Sequence, residues 1–210
     1  MNHSYHPALQ LLEPAAQYTL SFAHSGLFQP MLHRLLTAFC EEQVIPAMTE
    51  EEIRRVVYLS RFHDIGKQSL PRAILQKSGK LTLEERRILQ QHPALGVRLL
   101  RSNRDLRQYP YYSILCDICL HHHERWDGGG FPDGLQGQHI TPYVHVVALA
   151  DTYDALRTAR PYKLPRPHDE AMSMLCGGAC GAFSPEMITC LQALPEGFFA
   201  ACYGEARKVG

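Results

Sequence analysis

Neither sign of charge is in excess in this chain. Its 21 lysines and arginines face 21 aspartates and glutamates, for a formal net charge of zero over 210 residues. A broad electrostatic pull on nucleic acid or an anionic membrane is therefore excluded, and an anionic ligand must be captured by locally placed cations. Long apolar runs are missing too. No window approaches a membrane span, and residues 1–12 lack the basic stretch and apolar core of a secretory leader. The expectation is a cytoplasmic protein without an anchor, binding neither nucleic acid nor membrane. Internal repeats, low-complexity tracts and linkers are also absent. Cysteine is not scarce, with seven residues, an odd set, but none falls among the polar motifs described below. Cys116 and Cys119 have the spacing of a redox or zinc pair. Their flanks, Ser113-Ile114-Leu115 and Ile118 with Leu120, read instead as one face of a buried helix carrying free thiols in a reducing compartment.

What is present reads as helix. Leu27, Met31, Leu32, Leu35, Leu36 and Phe39 recur at helical spacing between residues 21 and 42. Thr49-Glu50-Glu51-Glu52 and Thr82-Leu83-Glu84-Glu85 are capping boxes that open two further helices. Pro93, directly after His92, suits the first turn of another, and Ser184-Pro185 pairs an N-cap with a first-turn proline. Residues 110–123 read as a helix delivering His122 and His123 near its end. Residues 124–142, rich in Gly and Pro, read as a long loop. Val144 to Leu156 favours helix by its alanine content. The predicted architecture is all-α: a helical bundle over residues 21–200, preceded by a loosely attached segment 1–20 and followed by a tail 201–210.

The chemistry sits in spaced polar elements. His63-Asp64 lies in Phe62-His63-Asp64-Ile65-Gly66-Lys67, followed by His92, by His122-His123-Glu124 and by Asp151-Thr152-Tyr153-Asp154. Neutral imidazoles mixed with carboxylates, without a thiolate, suit a borderline divalent ion such as Fe, Mn or Zn. A helical bundle can bring such scattered ligands together in its interior. Asp64 can bridge two ions through its two oxygens. His63 and Asp151 suit the first ion, and His92, His122 and His123 the second. A hydroxide between two metals is a strong nucleophile at neutral pH, and paired ions stabilise charge on phosphorus. Lys67, one helical turn beyond His63, can place an ammonium on a phosphate oxygen. Arg160 and Lys163 can clamp a second phosphate. His121 extends the histidine run, but its register with Asp127-Gly128 marks it as structural.

These residues resemble the HD-GYP family, a branch of the HD phosphohydrolase superfamily, from about residue 20 to about residue 190. The resemblance is carried by His63-Asp64-Ile65-Gly66-Lys67, Lys77-Ser78-Gly79-Lys80-Leu81-Thr82 and His92-Pro93-Ala94-Leu95-Gly96. It continues through His122-His123-Glu124-Arg125-Trp126-Asp127-Gly128-Gly129-Gly130-Phe131-Pro132, Asp151-Thr152-Tyr153-Asp154-Ala155-Leu156 and Arg160-Pro161-Tyr162-Lys163. It implies an HD-type bundle and a metal-dependent phosphodiesterase that opens cyclic di-GMP to pGpG, in some members on to GMP. The implied cofactor is a pair of divalent ions, Fe or Mn, with Zn, Ni and Co compatible. Implied metal ligands are His63, Asp64, His92, His122, His123 and Asp151. A further one is an early histidine, for which His24 in His24-Ser25 fits the family's habit while His33 has the more ordinary spacing. Asp64 and Lys67 carry the implied catalytic roles. Lys67, Arg160 and Lys163 match the phosphate-binding groups, and Phe131 can stack on guanine.

Three departures qualify the picture. The family's Gly-Tyr-Pro reads here Gly130-Phe131-Pro132, keeping the ring and losing the hydroxyl. The glutamate that accompanies a third metal is absent, since that position is Leu20 before His24 or Gln29 before His33. Finally, 210 residues leave no room for the usual sensory domain. Regulation is then expected through a partner protein, a homodimer or the N-terminal segment. The leaving 3′-oxygen requires a proton, for which Glu124, Asp127 and a metal-bound water are alternatives. Other readings remain: hydrolysis of another cyclic dinucleotide such as cyclic GMP-AMP, hydrolysis of a nucleotide phosphate ester, or a cyclic di-GMP sensor without catalysis.

Overall fold

The computed structural model describes residues 7–17, 26–159, 164–195 and 197–203. Among these residues there is no β-strand. Only isolated bridges occur, Asp127 with Gln136 and Ala179 with Gly181. After short helical turns within residues 7–17 come α1 (Phe28–Glu41), α2 (Glu50–Leu59), α3 (Arg72–Leu75), α4 (Leu83–Leu89) and α5 (His92–Ser102). They are followed by α6 (Tyr112–His121), α7 (Pro142–Arg157), α8 (His168–Cys176), α9 (Pro185–Ala193) and α10 (Gly197–Tyr203).

Local chemistry sets where these helices begin. At α2, Thr49 Oγ1 accepts from the Glu52 N–H at 3.3 Å while the Thr49 N–H donates to Glu52 Oε2 at 2.7 Å. Thr82 and Glu85 repeat the exchange at α4, and Ser184 Oγ accepts from the Met187 N–H at 3.1 Å to open α9. Each such cap contributes about 1 kcal/mol. The apolar stripe of α1, from Phe28 through Phe39, is buried and packs on α7 and α2. Helix α7 is apolar around most of its circumference, which places it at the centre. It is also packed by α6 and α8.

Residues 7–17 join this core. Leu9 and Ala16 are fully buried. Glu13 accepts hydrogen bonds from the Tyr58 hydroxyl at 2.9 Å and Arg61 at 2.8 Å. No helix among the described residues is long and apolar enough to cross a membrane.

One close approach positions the site. Helix α5 lies against the 3-10 turn Ile65–Ser69. A Cβ added at Gly66 would sit 1.9 Å from the His92 carbonyl oxygen and 2.5 Å from the Gly96 nitrogen. Only glycine lets the backbone carrying Asp64 come this near the start of α5, where His92 sits.

Candidate metal centre

Each donor is delivered by an element end. Helix α2 runs into a 3-10 turn (Ser60–Phe62), which places His63 and then Asp64. His92 is the first residue of α5, while His122 and His123 follow the last turn of α6. Asp64, His92, His122 and His123 each offer one ligand atom, all within 4.8 Å of one another. His63 adjoins them: its Nε2 is 3.5 Å from Asp64 Oδ2, and its ring lies edge-on to that of His122 at 4.7 Å. His63, Asp64, His92 and His122 are buried.

Backbone carbonyls fix the tautomers. His63 Nδ1 lies 2.6 Å from the Ser60 oxygen, His92 Nδ1 2.7 Å from that of Leu89, and His122 Nδ1 3.1 Å from those of Ile118 and Cys119. With the proton on Nδ1, each Nε2 turns a lone pair inward. The Nε2 atoms of His92 and His122 are 3.2 Å apart and stand 3.1 Å and 3.6 Å from Asp64 Oδ1. Burial pushes the His122 pKa down to about 4. Burial and then the neighbouring imidazoles lower that of His123 well below the usual range. Converging neutral lone pairs beside a carboxylate repel one another unless a cation lies among them. The donor set therefore fits a divalent ion.

Lys67, on the 3-10 turn after Asp64, places its ammonium against Asp64 Oδ2 at the edge of the cluster. Asp151 is buried on α7, where it faces the Arg125 guanidinium electrostatically. His33 is engaged at the surface by Glu50, 3.1 Å away, and is not among the clustered donors. His24, Arg160 and Lys163 lie outside the described residues. His121 is held by Asp117 at 2.6 Å and Asp133 at 3.1 Å, apart from the cluster. Glu124 accepts from the backbone N–H groups of Asp133 and Leu135 at 2.8 and 3.0 Å, and Asp127 from that of Gly129 at 2.9 Å. Both carboxylates thus shape the loop that carries Phe131.

Sequence reasoning passed over Arg125. Its guanidinium donates to the carbonyls of Glu124 (2.8 Å), Cys180 (3.1 Å) and His122 (3.4 Å), and to Thr152 Oγ1 (3.2 Å). It thereby ties the end of α6 to α7 beside Asp151. The cysteines are free thiols, and burial raises the pKa of both Cys116 and Cys119, which suits inert packing residues.

A helical bundle with a buried His/Asp centre of this kind defines a class of metal-site protein. A family model described as an HD domain matches residues 23–183. The chain belongs to the HD domain family. It is 39% identical over 144 residues to a cyclic di-GMP phosphodiesterase response regulator of Xanthomonas campestris pv. campestris, covering 69% of this chain and 37% of that protein. A cyclic di-GMP phosphodiesterase of Thermotoga maritima is 40% identical over 67% of this chain and 37% of its own length. A 3'3'-cGAMP-specific phosphodiesterase of Vibrio cholerae is 36% identical over 73% of this chain and 29% of its own. The chain thus spans only 29–37% of the length of these relatives. In fold it is similar to an HDG"Y"P protein from Bdellovibrio bacteriovorus, with a TM-score of 0.60 at 18% identity over 89% of this chain and 62% of that one.

Proposed function

We propose that this chain is a metal-dependent phosphodiesterase that hydrolyses cyclic di-GMP to pGpG. The observation that carries the reading is the convergence of Asp64, His92, His122 and His123 with the Lys67 ammonium at its edge. Asp64, His92, His122 and His123 would hold one divalent ion. His63, Asp64 and Asp151 would hold a second, with His24 as the early ligand. Fe or Mn is the favoured identity. Such ions, when bound, lower the pKa of a water and neutralise charge developing on phosphorus.

The chain's own groups do the rest. The carbonyl clamps hold the Nδ1–H groups of His63, His92 and His122 and keep their Nε2 lone pairs aimed inward. Lys67 turns from Asp64 to a non-bridging phosphate oxygen as substrate arrives, with Arg160 and Lys163 on the second phosphate. Water protonates the leaving 3′-oxygen, because Glu124 and Asp127 are engaged in the loop.

A second reading is another cyclic dinucleotide. It is favoured by the cGAMP-specific relative, which is nearly as similar in sequence as the cyclic di-GMP enzymes. A sensor without catalysis is disfavoured, since each expected His and Asp is present.

The test is anaerobic incubation of purified protein with Fe(II) or Mn(II) and either cyclic di-GMP or 3'3'-cGAMP, followed by chromatography of the nucleotides. pGpG or GMP should appear from cyclic di-GMP, and Asp64→Ala should form no product and lose bound metal. Lys67→Ala should lower turnover about a hundredfold with metal retained. Native protein with a full complement of metal and no product from either dinucleotide would sink the proposal. Turnover of cGAMP alone would move it to the second reading.

A further inference from the structure

Three of the centre's four histidines share one anchoring device. His63, His92 and His122 each place Nδ1 on a backbone carbonyl. The ring of His123 makes no such hydrogen bond among the described residues. Its orientation is set by ring contacts instead. Phe131 stacks on it with centroids 4.6 Å apart and planes 26° from parallel. His92 stands edge-on at 5.0 Å, and His122 lies at 4.2 Å.

The stacking partner is itself fixed. The Phe131 N–H donates to the His123 carbonyl at 3.3 Å. Gly130 packs so closely that a Cβ there would lie 2.5 Å from the same oxygen. The Phe131 ring also meets His92 edge-on at 6.5 Å. Backbone and side chain of the loop therefore both close on the one imidazole that lacks a carbonyl clamp.

We infer that Phe131 is a positioning residue of the metal centre: the face of its ring holds His123 towards Asp64, as backbone carbonyls hold the other three imidazoles. This gives the ring a task other than stacking on a guanine base. It also accounts for phenylalanine where the family's tyrosine stands, because the task needs a flat face and no hydroxyl. The inference rests on the cluster being a metal site, and not on which phosphate ester is cleaved.

Removing groups that orient a metal-ligating histidine weakens metal binding by about 10- to 100-fold, and a ring contact without a hydrogen bond belongs at the lower end. Mn(II) affinity would be measured by equilibrium dialysis for the native protein, Phe131→Ala, Phe131→Tyr, Phe131→Leu, His123→Ala and the double variant Phe131→Ala/His123→Ala. Phe131→Ala should bind Mn(II) about tenfold more weakly, with Phe131→Tyr close to native. In the His123→Ala background the Phe131→Ala substitution should cost nothing further, since the two residues act as one unit.

Unchanged Mn(II) affinity in Phe131→Ala would overturn the inference, whatever happens to KM for the dinucleotide. An equal loss in the His123→Ala background would also overturn it, since that signals loop collapse. Should Phe131→Ala fail to fold, Phe131→Leu decides. It covers His123 without a flat ring, so weaker binding supports the inference and native affinity defeats it. A native protein that binds Mn(II) but cleaves neither dinucleotide would defeat the proposed function alone.

Discussion

At the scale of single residues, His145 shows how a buried titratable group links stability to pH away from the centre. It lies on α7, almost fully buried, between the Trp126 ring (5.6 Å, 4° from parallel) and the Phe183 ring (5.5 Å, 24°). Its Nε2 has no hydrogen-bond partner among the described residues. Burial first, and the charge of Arg125 second, push its pKa down to about 4. In the unfolded chain the imidazole titrates near 6.5. Above that pH it is neutral in both states and imposes no penalty. As pH falls from about 6.5 to about 4 the unfolded chain takes up a proton that the folded one refuses, so stability declines. The full loss is on the order of 3 kcal/mol for this residue. His145→Phe should therefore flatten the acid limb of metal-free stability, measured by urea unfolding between pH 7 and pH 4. A slope identical to that of native protein would show that His145 accepts its proton within the fold.

At the scale of elements, what matters is how closely one backbone can approach another. Gly66 sits where the turn carrying Asp64 meets the start of α5, against the His92 carbonyl. Gly66→Ala should push the two apart, cost at least about 2 kcal/mol as overpacking does and weaken metal binding, because Asp64 and His92 ride on the two separated pieces. Urea unfolding with a parallel metal assay checks both effects. Unfolding at native denaturant concentrations would mean that the contact relaxes without cost.

The same scale explains what the sequence made legible. The caps at Thr49, Thr82 and Ser184 are signals within four residues, and each is found where its pattern stands. The all-α bundle follows from periodicity, and the separation of His121 from its two neighbours from register. The carbonyl clamps on Nδ1, the four-acceptor staple of Arg125 and the stack of Phe131 on His123 carry no local signal. Each depends on where a distant backbone ends up. His145 was equally hidden, as one polar residue in an otherwise apolar helix. For the N-terminal segment, Leu9, Glu13 and Ala16 lie too far apart in sequence from their core partners for attachment to be read from spacing.

For the whole molecule, the centre acts as a clasp. Its clustered donors come from the turn after α2, the start of α5 and the end of α6, so one ion would join segments that are separate in the chain. Only the folded state gathers these donors, so cation binding adds directly to folding free energy. At a free concentration one hundred times Kd that addition is about 2.7 kcal/mol. For a domain of this size each kcal/mol moves Tm by roughly 2–4 °C. Metal-free protein should therefore melt about 5–11 °C below protein saturated with Mn(II). A chelator should reverse the shift, and Asp64→Ala should show none, because its carboxylate is central to the clasp. Differential scanning calorimetry at fixed pH, with and without Mn(II), measures this whether or not a substrate is known. Identical melting in both conditions would mean that the four donors are held together by the protein alone, without a metal ion.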